Sequence, residues 1–224
     1  MIGVFDSGVG GLCAYRELRR LLPRQDIIFL ADRKNAPYGT KSKDELIALT
    51  KNDIKRLREM GAEKILIACC TASTVYPYLD GWEREISLPI IAPAALAASK
   101  YGRATVIATN HTVASHAFGE AIRALSATQV REIACQELVS LVEGGCRDGR
   151  INEKCRERIE KIRLDALEFG AEALVLGCTH FSHLEGEFKR LLPHVRIISP
   201  ASEGARMMAE QIKRKTENGR TVYT

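Results

Sequence analysis

Two segments of the chain nearly repeat each other, GAEKILIACCT at residues 61–71 and GAEALVLGCTH at residues 170–180. In each, an apolar run follows a Gly-Ala-Glu turn, and the first cysteine comes eight residues after the glycine, as Cys69 and Cys178. Such an apolar run is typical of a strand buried in a parallel sheet. The repeat therefore predicts two similar lobes, each with a thiol at the end of a buried strand.

Outside these segments, short apolar runs alternate with longer amphipathic stretches, which indicates βα units with helices covering mostly parallel sheets. We expect strands at residues 2–5, 27–31, 64–68, 90–92, 104–109, 132–134, 173–176 and 196–198. The predicted fold class is α/β, with two similar lobes, mostly parallel sheets and an active site in the cleft between them. The first lobe is expected to cover residues 1–94 and 200–224, and the second residues 95–199.

Two of the predicted helices have clear ends. Ser42 and Glu45 form a capping box at the start of one helix, and Gly61 ends it. Asn152 caps a second helix, which Gly170 ends. Both helices lead directly into one copy of the repeated segment, so each copy is expected to be the strand of an αβ unit.

The composition excludes several classes of protein. The 224 residues are 46% hydrophobic and 27% charged, which is ordinary for a globular chain with a core. No apolar run approaches the roughly 20 residues that span a bilayer, and the N terminus lacks a signal-peptide pattern, so we expect a cytoplasmic protein without membrane contact. The seven cysteines have no regular spacing and form no CxxC pair, which argues against a disulfide framework and a metal site.

The formal net charge of +5 comes from scattered lysines and arginines. With 6% aromatic residues, the chain offers few stacking platforms for nucleic acid, which we do not expect as a partner. A modest positive field favours small anionic substrates.

Cys69 and Cys178 carry the chemistry that the sequence predicts. Ligands of open α/β sheets bind at the carboxyl ends of the strands, where helix N termini lower thiol pKa values and attract anions. Two facing lobes would place one thiol on each side of a cleft, which suits removal of a proton from one face of a carbon and its return to the other. Each cysteine alone could equally be a core residue. The matched pair favours a racemase or an epimerase.

Asp6 and His180 are further candidates. Asp6 and Ser7 end the first predicted strand, before glycines that let the backbone approach a small ligand but do not fit the GxGxxG phosphate pattern. Asp6 is either a helix cap or a group acting beside the first thiol. His180, two residues after Cys178, either assists that thiol, or is a helix cap or a buried hydrogen-bonded histidine.

Four motifs, IGVFDSGVGGL from Ile2, APYGTKS from Ala36, ACCTAS from Ala68 and LGCTH from Leu176, closely resemble the glutamate racemases of the aspartate/glutamate racemase superfamily. The resemblance extends to about residue 200, in the family's order and spacing. It implies an enzyme without cofactor or metal that inverts glutamate at Cα with two cysteines and supplies D-glutamate for peptidoglycan. Related enzymes often form homodimers, so a homodimer is one expected assembly.

The resemblance also assigns roles to residues. Cys69 and Cys178 would be the acid/base groups on the two faces of Cα, with Asp6 assisting the first and His180 and Glu143 the second. Substrate contacts are implied for Asp6, Ser7, Tyr38, Gly39, Cys70, Thr71, Thr179 and His180.

One of these positions departs from the family, because Cys70 stands where relatives usually carry asparagine. Asparagine offers an acceptor and two donors, whereas a thiol is a weak donor and a poor acceptor. Three other functions therefore stay open: a racemase for aspartate or another amino acid, a cysteine hydrolase built on Cys178 and His180 with a covalent acyl intermediate, and a catalytically silent amino-acid-binding protein.

Overall fold

The structure, a computed structural model, describes residues 1–218 of the chain and contains two four-stranded sheets in that part. The first sheet consists of β1 (Ile2–Asp6), β2 (Ile27–Ala31), β3 (Lys64–Ile67) and β4 (Ser87–Pro89). The second consists of β5 (Arg103–Ala108), β6 (Gln129–Ala134), β7 (Ala173–Gly177) and β8 (Arg196–Ile198). Every strand pair in both sheets is parallel, which confirms the predicted fold class.

The two sheets have the same strand order, β2-β1-β3-β4 in the first and β6-β5-β7-β8 in the second. β3 and β7 therefore occupy equivalent places, and they are the strands of the two repeated segments. The repeat seen in the sequence is thus a repeat of structure, and the two cysteines follow equivalent strands.

Eleven helices surround the sheets within the described residues. They are α1 (Leu12–Leu21), α2 (Lys43–Glu59), α3 (Cys70–Ser73), α4 (Gly81–Ile86), α5 (Ile91–Ala98), α6 (Asn110–Ala114), α7 (Ala117–Arg123), α8 (Gln136–Glu143), α9 (Glu153–Phe169), α10 (Glu185–Leu191) and α11 (Pro200–Asn218). Short 3-10 helices lie at Tyr38–Thr40, Tyr76–Tyr78 and Thr179–Leu184. No helix of residues 1–218 has both the length and the apolar character that a bilayer crossing requires.

The predicted helix ends are confirmed. Ser42 and Glu45 form the capping box of α2, with the Ser42 amide donating to Glu45 Oε2 at 2.9 Å. The Asn152 side chain accepts from the backbone amide of Cys155 at 2.9 Å and begins α9. Gly170, with φ of 68°, ends α9. Local hydrogen bonding therefore fixes where the two repeated segments begin.

The predicted strand at residues 90–92 is wrong. The strand of this region, β4, lies earlier, at Ser87–Pro89, and residues 91 and 92 begin α5. Pro93 stands in the first turn of α5, where no backbone N–H needs an intrahelical partner, so proline is compatible with a helix start there. Ile91 is buried on one face of α5, whereas Ala92 is exposed.

α5 and α11 join the two lobes. α11 packs against α1 and α5, and α5 also packs against α7 of the second lobe. One apolar core runs from Ile2 and Val4 through Ala95 and Met208 to Val106. The predicted lobe boundaries at residues 94/95 and 199/200 stay a prediction, and residues 219–224 of the predicted first lobe lie outside the described residues.

Candidate active site

A small cleft between the lobes collects the segments that follow six of the strands, namely β1, β2, β3, β5, β6 and β7. This is the edge at which parallel sheets bind ligands. All predicted site residues except Asp6 line the cleft. Its volume is about 40 Å³, room for only a few water molecules. The structure therefore holds the cleft closed.

Cys69 and Cys178 lie in this cleft, and they are 5% and 8% exposed. Cys69 precedes α3, and Cys178 precedes the 3-10 helix Thr179–Leu184. Burial raises the pKa of Cys69 to about 11 and raises the pKa of Cys178 still further. The expected lowering of these pKa values by helix N termini is wrong for the closed cleft, because desolvation outweighs the partial charges of two short helical segments.

The surroundings of Cys69 contain a hydroxyl side chain within hydrogen-bond distance and a buried carboxyl. Ser7 Oγ lies 3.5 Å from Cys69 Sγ and lowers the pKa of the thiol, whereas the negative charge of Asp6 raises it. Asp6 is fully buried, directly beneath the cleft. The arrangement places a carboxyl and a hydroxyl on the side of the first thiol.

Asp6 is not the cap of α1, because α1 begins after Gly11. Its Oδ1 accepts from the Gly8 amide at 2.8 Å, and its Oδ2 accepts from the Thr179 hydroxyl of the second lobe at 3.0 Å. Burial raises the pKa of Asp6, while these bonds and the charge of His180 oppose that rise. Asp6 thus connects the lobes under both thiols.

Gly10 is required for this connection. A Cβ atom at Gly10 would lie 2.5 Å from Thr179 Oγ1, which is closer than side-chain carbons approach other atoms. Gly10 therefore lets the backbone of the first lobe approach the threonine that follows Cys178.

His180 and Glu143 form a chain of contacts on the side of the second thiol. His180 Nδ1 lies 3.7 Å from Cys178 Sγ, and His180 Nε2 lies 3.3 Å from Glu143 Oε1. The His180 side chain is 12% exposed, whereas Glu143 is largely open to solvent. Of the roles left open for His180, the cap of the following 3-10 helix is not observed, because Cys178 holds that position, whereas the contact with the thiol and the burial beside Glu143 are both present.

A cluster of three hydroxyls closes the cleft at another point. Thr71 Oγ1 of the first lobe lies 3.2 Å from Thr109 Oγ1 and 3.3 Å from Thr112 Oγ1 of the second lobe. Thr109 in turn donates to Thr112 at 2.9 Å. Thr109 and Thr112 were not among the predicted site residues, although Thr109 directly follows β5.

Tyr38 and Cys70 both line the cleft, Tyr38 with its hydroxyl bonded elsewhere and Cys70 with a buried thiol. The Tyr38 hydroxyl lies 2.7 Å from Asp32 Oδ2 and 3.1 Å from Asp53 Oδ2, so both carboxyls compete for its single O–H. Tyr38 can therefore offer the cleft its backbone or ring but not a free hydroxyl. Cys70 is 2% exposed, and burial raises its pKa well above the ordinary thiol value.

Gln136 also lines the cleft and was not predicted. It follows β6, so its position at a strand end was the signal that could have found it.

Among the described residues there is no group of three or more His, Cys, Asp and Glu side chains that could hold a metal ion. A larger cavity of about 680 Å³ lies elsewhere, between the 3-10 helix Tyr76–Tyr78, α5, α6 and α7, and its lining includes neither Cys69 nor Cys178.

Comparison with known proteins gives consistent matches. The family model for Asp/Glu/Hydantoin racemase matches residues 11–208. The glutamate racemase of Gloeobacter violaceus is 38% identical over 205 residues, which cover 90% of this chain and 76% of the relative. The crystal structure of the Francisella tularensis glutamate racemase in complex with D-glutamate has a TM-score of 0.87 at 27% identity, covering 99% of this chain and 84% of that chain.

A third match is the Escherichia coli glutamate racemase in complex with L-glutamate and the activator UDP-MurNAc-ala. It has a TM-score of 0.72 at 28% identity, covering 95% of this chain and 82% of that chain. The fold and these matches define an isomerase of the racemase class. The chain belongs to the Asp/Glu/Hydantoin racemase family, and its resemblance to the glutamate racemases of that family is confirmed.

Proposed function

We propose that this chain is a cytoplasmic, cofactor-independent glutamate racemase that interconverts L- and D-glutamate and supplies D-glutamate for peptidoglycan. The observation that carries the proposal is the pair of thiols, Cys69 and Cys178, which follow equivalent strands of two similar lobes and line one cleft. The relatives that contain bound L- or D-glutamate are glutamate racemases, which supports glutamate as the substrate.

Proton transfer proceeds in two steps on opposite faces of Cα. The thiolate of one cysteine takes the Cα proton, so that an S–H bond forms and the electron pair of the broken C–H bond moves toward the α-carboxylate. The thiol of the other cysteine then gives its proton to the opposite face and becomes the thiolate. After one inversion the two cysteines have exchanged protonation states, so the enzyme works in both directions.

Because the pKa values of both thiols are raised, the bound substrate must favour the thiolate form of one of them. In the closed cleft both thiols are neutral at pH 7, because burial disfavours the thiolate. The ammonium group of a bound amino acid introduces a positive charge that favours the thiolate of whichever cysteine it faces, and the proton of that thiol leaves to water while the cleft is open. Proton donors around the α-carboxylate stabilise the charge that develops there. His180 and Ser7 hold the two sulfurs in place.

The lobes must also separate before an amino acid can enter. Glutamate is larger than the cleft volume of about 40 Å³. The hydrogen bonds that join the lobes near the cleft include those of Thr71 with Thr109 and Thr112, of Thr74 with His111, and of Thr179 with Asp6. Opening therefore exchanges a small number of hydrogen bonds for contacts with water and substrate.

The proposal is tested by Cα-proton exchange in heavy water, followed by NMR for both enantiomers of a panel of amino acids. We expect exchange and interconversion with L- and D-glutamate and much slower reaction with the other amino acids. Exchange with aspartate alone would identify an aspartate racemase. Binding of glutamate with a rise in Tm but no exchange would identify a silent binding protein.

A further inference from the structure

Gln136 has a side-chain oxygen that no group of residues 1–218 satisfies. Gln136 is the first residue of α8, and its side chain lines the cleft together with Cys69 and Cys178. Its Oε1 atom is buried and has no hydrogen-bond partner in the part of the chain that the structure describes. Native proteins rarely leave a buried acceptor unpaired, so an exception calls for a partner that binds.

The exception is specific to this residue within the described part of the cleft. The other nitrogen- and oxygen-bearing side chains there have protein partners: Ser7 with Cys69, Thr71 with Thr109, Thr179 with Asp6, His180 with Glu143, and Tyr38 with Asp32. Five buried side-chain atoms without a hydrogen-bond partner occur in the described residues, of which Arg158 Nε is ion-paired with Glu137, and Gln136 Oε1 is the one that belongs to the cleft lining.

Gly39 holds the Gln136 amide in place across the cleft. A Cβ atom at Gly39 would lie 2.9 Å from Gln136 Oε1 and 3.5 Å from Nε2, so the amide packs closely on the Gly39 backbone. Gly39 follows β2 of the first sheet, whereas Gln136 follows β6 of the second. Separation of the lobes therefore uncovers Oε1 at the moment when substrate enters.

The chemistry of an amino acid identifies the partner. An unpaired oxygen needs a donor, and in the glutamate zwitterion the ammonium group is the donor, because both carboxylates are acceptors. We propose that Gln136 is a specificity-determining residue of the racemisation site and that its Oε1 accepts a hydrogen bond from the substrate ammonium group. This inference rests on the proposed function. Gln136 also supplies the cleft with an amide acceptor, whereas Cys70 offers only a thiol.

The first test replaces Gln136 by methionine, which keeps the length of the side chain and removes the acceptor. We expect the KM for L- and D-glutamate to rise about tenfold or more, with a smaller change in kcat. The Tm of the unligated variant should stay level or rise, because an unpaired buried oxygen is gone. Gln129→Met, on the exposed first residue of β6, is the matched control and should leave KM unchanged.

The second test assigns the contact to the ammonium group. Glutarate has both carboxylates of glutamate but no ammonium group. As a competitive inhibitor it should bind wild type and Gln136→Met equally well, so that the preference for glutamate over glutarate falls in this variant. In Gln136→Glu the preference should rise, because a carboxylate attracts ammonium and repels glutarate. If the Gln136 amide had only a structural role, the preference for glutamate over glutarate would not shift in opposite directions in the two variants.

Two results would overturn the inference. One is an unchanged KM in Gln136→Met, and the other is equal weakening of glutamate and glutarate. If Gln136→Met does not fold, Gln136→Glu decides alone, and an unchanged preference for glutamate over glutarate rejects the contact. Failure of the proposed function is distinct, because wild type itself would then show no exchange of the glutamate Cα proton.

Discussion

Thr179 and Asp6 lie 173 positions apart in the chain and are joined by one buried hydrogen bond of 3.0 Å across the two lobes. The donor directly follows the thiol of the second lobe, and the acceptor ends the strand beneath the thiol of the first. Because the bond favours the ionised form of Asp6 while burial disfavours it, closure of the lobes and the charge beside Cys69 are linked.

Removing this donor tests the link. In Thr179→Val the buried carboxyl loses a partner, and we expect the free energy of unfolding at pH 7 to fall by about 1–3 kcal/mol. The pKa of Asp6 should rise further, and racemisation should slow. Urea denaturation and glutamate racemisation measure the two effects. Thr179→Ser keeps the hydroxyl and serves as the control, so equal behaviour of the valine and serine variants would contradict the role of the bond.

Replacing either thiol tests the two-step proton transfer. In Cys69→Ser or Cys178→Ser the acid/base group on one face of Cα is lost, and racemisation should fall by roughly 100- to 10,000-fold in both directions. Circular dichroism of the product mixture follows the loss. Cys13→Ser changes a partly buried thiol outside the cleft and should retain activity. Full activity in either cleft variant would remove that residue from the mechanism.

The buried Tyr38–Asp53 contact predicts a pH dependence of stability. Burial and the charge of Asp32 raise the pKa of Asp53 to about 6, so the folded state holds this proton more tightly than the unfolded state does. The resulting stabilisation is complete below the ordinary pKa of about 3.8 and is lost as the pH rises through about 6.

Asp53→Asn removes the titrating group and leaves an amide that can donate to Tyr38. Between pH 4 and pH 6.5, the unfolding free energy of wild type should therefore fall relative to that of the variant by about 2–3 kcal/mol. Urea denaturation at several pH values gives both curves. Parallel curves over this range would show that Asp53 does not titrate as described.

Cys70 is expected to limit the affinity for substrate. Cys70→Asn would place an acceptor and two donors where the thiol now lies, and we expect the KM for glutamate to fall about tenfold. Cys70→Ala has neither donor nor acceptor and should not lower KM. Steady-state kinetics with both enantiomers measure the change. An unchanged or higher KM in Cys70→Asn would show that this position does not contact the substrate.

Much of the fold was predictable because local chemistry defines it. The side chains of Ser42 and Asn152 bind backbone amides three residues away, so sequence spacing alone reveals them. The strand predicted at residues 90–92 failed because a short apolar run looks alike in a strand and in a helix. Pro93 was the local sign of a helix start.

The site was predictable where residues follow a motif and less so where they meet only in space. Cys69 and Cys178 are marked by the repeat. Thr109 and Gln136 belong to no motif, and their place in the cleft depends on how two sheets face each other. The contact of Gln136 with Gly39 joins residues about a hundred positions apart, which no local pattern contains.

The closed cleft also sets a kinetic ceiling. An amino acid cannot pass through a space of about 40 Å³, so each catalytic cycle contains one opening to load the enzyme and another to unload it. Turnover cannot be faster than the opening and closing of the two lobes. A viscous solvent such as concentrated glycerol should therefore slow turnover. The same enclosure shields both sulfurs from alkylating reagents, so the speed of iodoacetamide labelling measures how often the molecule opens.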